Sequence, residues 1–262
     1  MKKIIISGFM LVATLAIAAG ATTAFYNDTE TSTGNVLTAG NIDLTVDSLG
    51  STYNDGNIFD SDFPAVDLTD EKFFEFGDIK PGDFGWRHLS IHAEDNPAWA
   101  CLFIDNINDD ENTPVEPEFD AGDTADVGIP NGELSKNMEL FAWEDLLPNG
   151  IYKPANETAL PVTPDSFFDI AYIAYADSLS AILPLAGLGD MRNIGLFWCA
   201  GNIVVNPLGL LIKPGLPGST LECDGSGMSD IAQTDIFTAD MVVFAEQVRN
   251  NGNFKCEDVV LP

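Results

Sequence analysis

The residues able to do chemistry in this chain are many carboxylates, two histidines and four cysteines. His88 and His92 stand four apart, which on a strand puts them on one face but roughly 13 Å apart along the backbone, too far to share a metal without a bend. No His-Glu-x-x-His is present to hold zinc on a helix beside a general-base glutamate. Gly-x-Ser-x-Gly is also missing, and the glycine-rich stretches lack the lysine of a phosphate loop. Asp224-Gly225-Ser226-Gly227 reads as a turn. Carboxylates are so frequent that no single pair stands out for glycoside hydrolysis. The densest set of hard oxygen donors is Asp105-Asn106-Ile107-Asn108-Asp109-Asp110-Glu111-Asn112. It departs from the EF-hand pattern, because Ile107 takes the third loop position and the turn glycine is absent. Asp105, Asn108, Asp109, Asp110 and Glu111 are therefore candidate ligands of an irregular calcium site, against the alternative of a solvated acidic loop. Calcium is the one cofactor these residues suggest, and no motif requires any.

Cys101, Cys199, Cys223 and Cys256 lack a Cys-x-x-Cys pair, so their irregular spacing fits tetrahedral zinc poorly. Two disulfides are the simpler reading, with three pairings allowed. We favour Cys199 with Cys223, which closes a local loop, and Cys101 with Cys256.

The elements that carry these residues read mainly as strands. Asn41 to Asp47 alternates polar and apolar side chains, as a strand with one buried face does. Leu89 to His92 and Trp99 to Ile104 resemble two arms joined through Asp95-Asn96-Pro97. Met138 to Trp143, Ile194 to Val205 and Asp235 to Val248 add further strands. Loops rich in Asp, Asn, Gly and Pro are expected at 106–131, 148–161 and 207–226. Thr163-Pro164-Asp165 resembles a helix start, and apolar residues from Phe167 to Ala174 recur at helical spacing, so one inserted helix is expected near 164–181. The fold class is all-β: an antiparallel, jelly-roll-like β-sandwich with long acidic loops.

The N-terminus carries an address. Lys2 and Lys3 precede an apolar run from Ile4 to Ala19, and small residues follow to Ala24. This is the pattern of a secretory signal peptide cut between Ala24 and Phe25. The apolar run is shorter than the roughly 20 residues that span a bilayer, and the most apolar later stretch, 167–188, contains Asp169, Asp177 and Pro184. The expected organisation is a signal peptide over 1–24, a short segment over 25–37 and a sandwich domain over 38–262, secreted and without stable membrane insertion. With 11 Lys+Arg against 41 Asp+Glu and a net charge of −30, the chain is unsuited to nucleic acid or anionic lipid. Such a charge suits high salt, divalent cations or a cationic partner.

Three stretches together resemble the TasA/camelysin family, secreted substrates of the SipW-type signal peptidase. One runs from Ala24 to Asn35 (AFYNDTETSTGN) and on through Thr38-Ala39-Gly40-Asn41-Ile42-Asp43-Leu44. The second is Asp78-Ile79-Lys80-Pro81-Gly82-Asp83 with Asn96-Pro97-Ala98-Trp99-Ala100-Cys101. The third spans Ala232 to Asn251 and ends in Asn253-Phe254-Lys255-Cys256. Residues 106–230 carry no quotable family signature. The resemblance implies a jelly-roll subunit that polymerises into extracellular matrix fibres or pilus-like filaments, with its own copies and the SipW-type peptidase as partners. It further implies that the freed segment 25–37 of one subunit completes the sheet of the next, with Phe25, Tyr26, Val36 and Leu37 as apolar contacts and Gly34 as the pliable point. A monomeric surface adhesin is the alternative. Camelysins have also been classed as metalloproteases, a reading for which this chain supplies no ligand set.

Overall fold

The computed structural model describes residues 42–54, 57–58, 62–123 and 131–261. The expected cleavage site Ala24–Phe25 and the segment 25–37 lie outside these residues. The described part belongs to the compact unit Gly40–Pro262.

The strands in chain order are β1 (Leu44–Tyr53), β2 (Asn57–Ile58), β3 (Phe63–Val66), β4 (Phe84–Ala93), β5 (Ala98–Asp110) and β6 (Met138–Glu144). They continue as β7 (Asp165–Ser166), β8 (Tyr172–Ala176), β9 (Asp190–Ala200), β10 (Asn202–Val205), β11 (Leu221–Asp224) and β12 (Ile236–Gln247). One short helix, α1 (Glu116–Ala121), interrupts them. The larger sheet has the order β2-β1-β4-β9-β6-β7, with β3 also beside β1, and the smaller has the order β12-β5-β8. The named strands pair antiparallel throughout, β10 with β11 included. The protein is an all-β antiparallel sandwich of the expected class.

Alternation explains how the layers meet. On β4, Leu89, Ile91 and Ala93 are fully buried between the sheets. On β5, Ala100, Leu102 and Ile104 meet them from the other sheet, together with Tyr175 of β8, while Trp198 of β9 adds to the large sheet's inner face. A second apolar cluster of Phe141, Trp143, Tyr152, Phe197 and Ile203 covers the outer face of the large sheet. A third, around Cys101, Phe103, Phe244 and Cys256, lies outside the small one. Each outer cluster holds one disulfide, Cys199–Cys223 and Cys101–Cys256, in the favoured pairing.

Four expectations change. Leu89–His92 and Trp99–Ile104 do not pair with each other: β4 binds β1 and β9, while β5 binds β12 and β8. Asp95-Asn96-Pro97 therefore carries the chain from one sheet to the other. The helix expected near 164–181 is absent, and that stretch holds β7 and β8 instead. Four of the five residues of β8 are buried, and a run of apolar residues buried on both faces has the same composition as a buried helix. Glu116–Ala121, expected as loop, is the helix. Its Glu118 side chain accepts from the Val115 N–H, and Gly122 at φ 98° closes the C-terminus in the left-handed region. Finally, Asp105 to Asp110 continue β5 and are not a loop.

Candidate functional site

A groove of about 1580 Å³ opens between β12 and the β1 side of the large sheet. Its floor is apolar: Leu44 and Val46 from β1, Met138 from β6, Trp198 from β9, and Phe237, Met241 and Val243 from β12. The irregular stretch 67–81 forms one wall. Phe73, Phe74, Phe76 and Ile79 from this stretch turn into the core. Two anchors hold it. Arg87, 1% exposed, donates from Nη1 to the Lys72 carbonyl at 2.9 Å and lies 5.8 Å from the Phe73 ring centroid. Its burial lowers the guanidinium pKa to about 10. At the other end, Asp83 closes the Lys80-Pro81-Gly82-Asp83 turn, accepting from the Lys80 N–H at 2.9 Å and from the Tyr53 hydroxyl at 2.7 Å. Gly82 has φ 87°, which the turn requires.

One rim of the groove is β12 itself. Among the described residues it pairs only with β5, so its other edge presents a row of backbone N–H and C=O groups. Met241 to Ala245 carry no charge, proline or glycine, the devices with which sheet edges are usually closed to pairing.

A second feature lies at the start of β12. Opposite Thr238–Asp240 the ladder shifts register, with one extra residue in β5 at Asn106, which has φ 49° and donates to Asp240 at 2.7 Å. The bulge moves the inward face from Leu102 and Ile104 to Ile107, Asp109 and Glu111. Of the five expected calcium ligands, Asp109 and Glu111 are buried. Asp105, Asn108 and Asp110 are half-buried on the other face of the strand, so the five do not converge on one ion. Asp109 is occupied by the N–H and hydroxyl of Ser135. Only Glu111 joins a cluster, and its neighbours come from other elements: Glu118 of α1, Asp123 just after it, Glu133 before a short 3₁₀ turn, and Asp235 before β12. One oxygen from each of Glu111, Asp123 and Glu133 lie within 4.8 Å of one another, as do those from Glu111, Glu118 and Asp235. Burial first, then Asp235, Asp123, Glu118 and Glu133, push the Glu111 pKa up to about 7. Burial raises Glu133 and Asp235 as well, with neighbouring carboxylates adding to it.

The histidines are not solvated edge residues. His88 is 7% exposed, with Nδ1 3.5 Å from Asp145 and Nε2 3.3 Å from the Ser90 hydroxyl. This row resembles a nucleophile, base and orienting acid. However, Ser90 is 3% exposed and its Oγ donates to Asn193 Oδ1 at 3.0 Å, so the row lies on a covered sheet face that a substrate does not reach. His92 pairs with Asp47 at 2.7 Å across β1 and β4. The chain matches no protein-family model, and no curated protein matches it.

Proposed function

We propose that this protein is a secreted structural subunit that polymerises by strand addition. Cleavage after Ala24, by a signal peptidase of the SipW type, frees the segment 25–37. The segment from one copy then lies along β12 of the next and fills its groove. The observation that carries this reading is the β12 edge, which among the described residues has no strand beside it, next to an apolar groove. An added strand satisfies the row of backbone groups and packs against the half-buried side chains of Leu44, Phe237, Met241 and Val243 in one step. Lengths agree: 13 donor residues and the 12 residues of β12 each extend about 40 Å at the rise of a strand. Phe25, Tyr26, Val36 and Leu37 supply apolar contacts, each worth about 1.5–3 kcal/mol when buried. Two disulfides fit an oxidising compartment. Among the described residues no helix is long and apolar enough to cross a membrane. The resemblance to the TasA/camelysin family points the same way.

The test is negative-stain imaging and sedimentation of the processed chain beside a variant lacking 25–37. The processed chain is expected to form filaments and the variant to stay monomeric. A synthetic 25–37 peptide should bind the variant without restoring growth, because it fills the acceptor and donates nothing onward. Filaments formed by the deletion variant would refute strand donation.

A further inference from the structure

We infer that Glu111, Glu118, Asp123, Glu133 and Asp235 form a calcium-binding site at the β12 end of the sandwich. The inference rests on Glu111 first. Its side chain is fully buried, and neither carboxylate oxygen has a hydrogen-bond donor. A buried carboxylate in that condition is costly unless a cation or a proton compensates it. The charged groups that act on it most are Asp235, Asp123, Glu118 and Glu133, all of its own sign. Five acidic side chains from four separate stretches of chain converge here, and among the described residues no basic side chain pairs with Glu111, which is the charge distribution a bound cation would complete.

The geometry selects the ion. Oxygens within 4.8 Å of one another can share a cation bound at about 2.4 Å, since opposite ligands are then about 4.8 Å apart. All donors are carboxylate oxygens, which favours a hard cation and disfavours zinc. Calcium accepts six to eight oxygens in irregular geometry, whereas magnesium demands a tight octahedron and keeps its waters. The oxygens already engaged act as braces. Asp235 Oδ2 accepts from the Glu133 N–H at 2.6 Å, leaving Oδ1 without a donor, and Glu118 accepts from the Val115 N–H while facing inward. Glu133 Oε2 is likewise buried without a donor. Such outer contacts orient ligands before the ion arrives. The site does not depend on the filament reading, and its test reads stability and calcium binding rather than filament growth.

The experiment is thermal unfolding and calorimetric titration of the purified protein, first stripped with EDTA and then given calcium or magnesium up to about 10 mM, which covers weak calcium modules. Calcium is expected to raise the melting temperature by several degrees and to titrate at one ion per chain, with a much smaller response to magnesium. Glu111→Gln should remove the calcium shift while leaving the EDTA-treated protein as stable as before or more so. Glu133→Gln, at a half-buried position, should weaken calcium binding tenfold or more, and decides the matter if the first variant does not fold. The proposal is overturned if calcium leaves the melting temperature unchanged and produces no titration heat. It is equally overturned if the variants that fold keep the wild-type calcium shift, because the ion would then be binding elsewhere on the acidic surface.

Discussion

Replacing Asp83 by Ala removes the single carboxylate that fixes one wall of the groove. Its two oxygens accept three side-chain-directed hydrogen bonds: from the Lys80 N–H at 2.9 Å, the Tyr53 hydroxyl at 2.7 Å and the Asn54 amide at 2.6 Å. Hydrogen bonds to a charged group contribute about 1.5–3 kcal/mol each, and the half-exposed position puts these at or below the low end. The loss should therefore be about 3–4 kcal/mol. Asp83→Asn keeps an acceptor but not the charge and should cost about half as much. The effect reaches the groove through Tyr53, whose ring stacks on Phe76 at 5.4 Å and Trp198 at 5.8 Å. Urea unfolding followed by tryptophan fluorescence measures the stability change. Alkaline titration supplies a readout that packing alone does not move. Burial first, and then Asp83, raise the Tyr53 pKa, so Asp83→Ala should lower the Tyr53 transition while that of Tyr175, raised by burial and Glu144, stays where it is. A loss below about 1 kcal/mol, well under one charged hydrogen bond, would refute the reasoning.

The two disulfides should differ in value, because they close loops of very different length. With separations of 155 and 24 residues, chain entropy assigns about 5 kcal/mol to Cys101–Cys256 and about 3.5 kcal/mol to Cys199–Cys223. Denaturant unfolding of the paired Cys→Ser variants checks this, and the opposite order would contradict it. Stability in EDTA should fall as pH rises. Glu111 is raised from 4.5 to about 7 in the folded protein, so its neutral form favours the fold below about 4.5 and that advantage is lost through pH 7. Glu133 and Asp235 are raised too and act in the same direction. A melting temperature that stays flat or climbs between pH 5 and 8 without calcium would contradict this.

What the sequence made legible was local. The Asn41–Asp47 alternation marks β1, and the apolar runs near 138–143, 194–205 and 235–248 mark β6, β9, β10 and β12. Sheet membership is not local, which is why β4 and β5 read as a hairpin although they lie in different sheets. The stretch 164–181 failed for another reason: Phe167, Ile170, Ile173 and Tyr175 are all buried, and apolar spacing cannot distinguish a helix from a turn followed by a strand buried on both faces. The carboxylate cluster was visible only at Glu111. Its partners stand 7, 12, 22 and 124 residues further along the chain. Without the Asn106 bulge, which no propensity announces, Glu111 would lie on the opposite face. The acidic run was the available signal, and it pointed to a loop because consecutive acids are rare in a strand.

The groove and the carboxylate cluster share a stretch of chain, and this constrains how each can be tested. Asp235 is in the cluster, and Ile236, the next residue, opens β12, while both line the groove. Thr234 before them has φ 71° and donates its hydroxyl to the Thr113 carbonyl at 2.9 Å, tying the β12 end to the chain between β5 and α1. A change at Asp235 therefore perturbs calcium ligation and the acceptor edge together, and loss of filaments in such a variant could not be assigned to either. Glu111 and Val243 separate them. Glu111 is fully buried in the cluster and is not among the groove's lining residues, whereas Val243 faces the groove floor seven residues beyond Ile236. If strand addition and cation binding are independent properties, substitution at Val243 impairs filament growth with the calcium shift intact, and Glu111→Gln does the reverse. If calcium instead sets the position of the β12 edge, Glu111→Gln impairs both. The direction of that coupling follows from chain order, because the ion would hold the residue from which the edge strand begins.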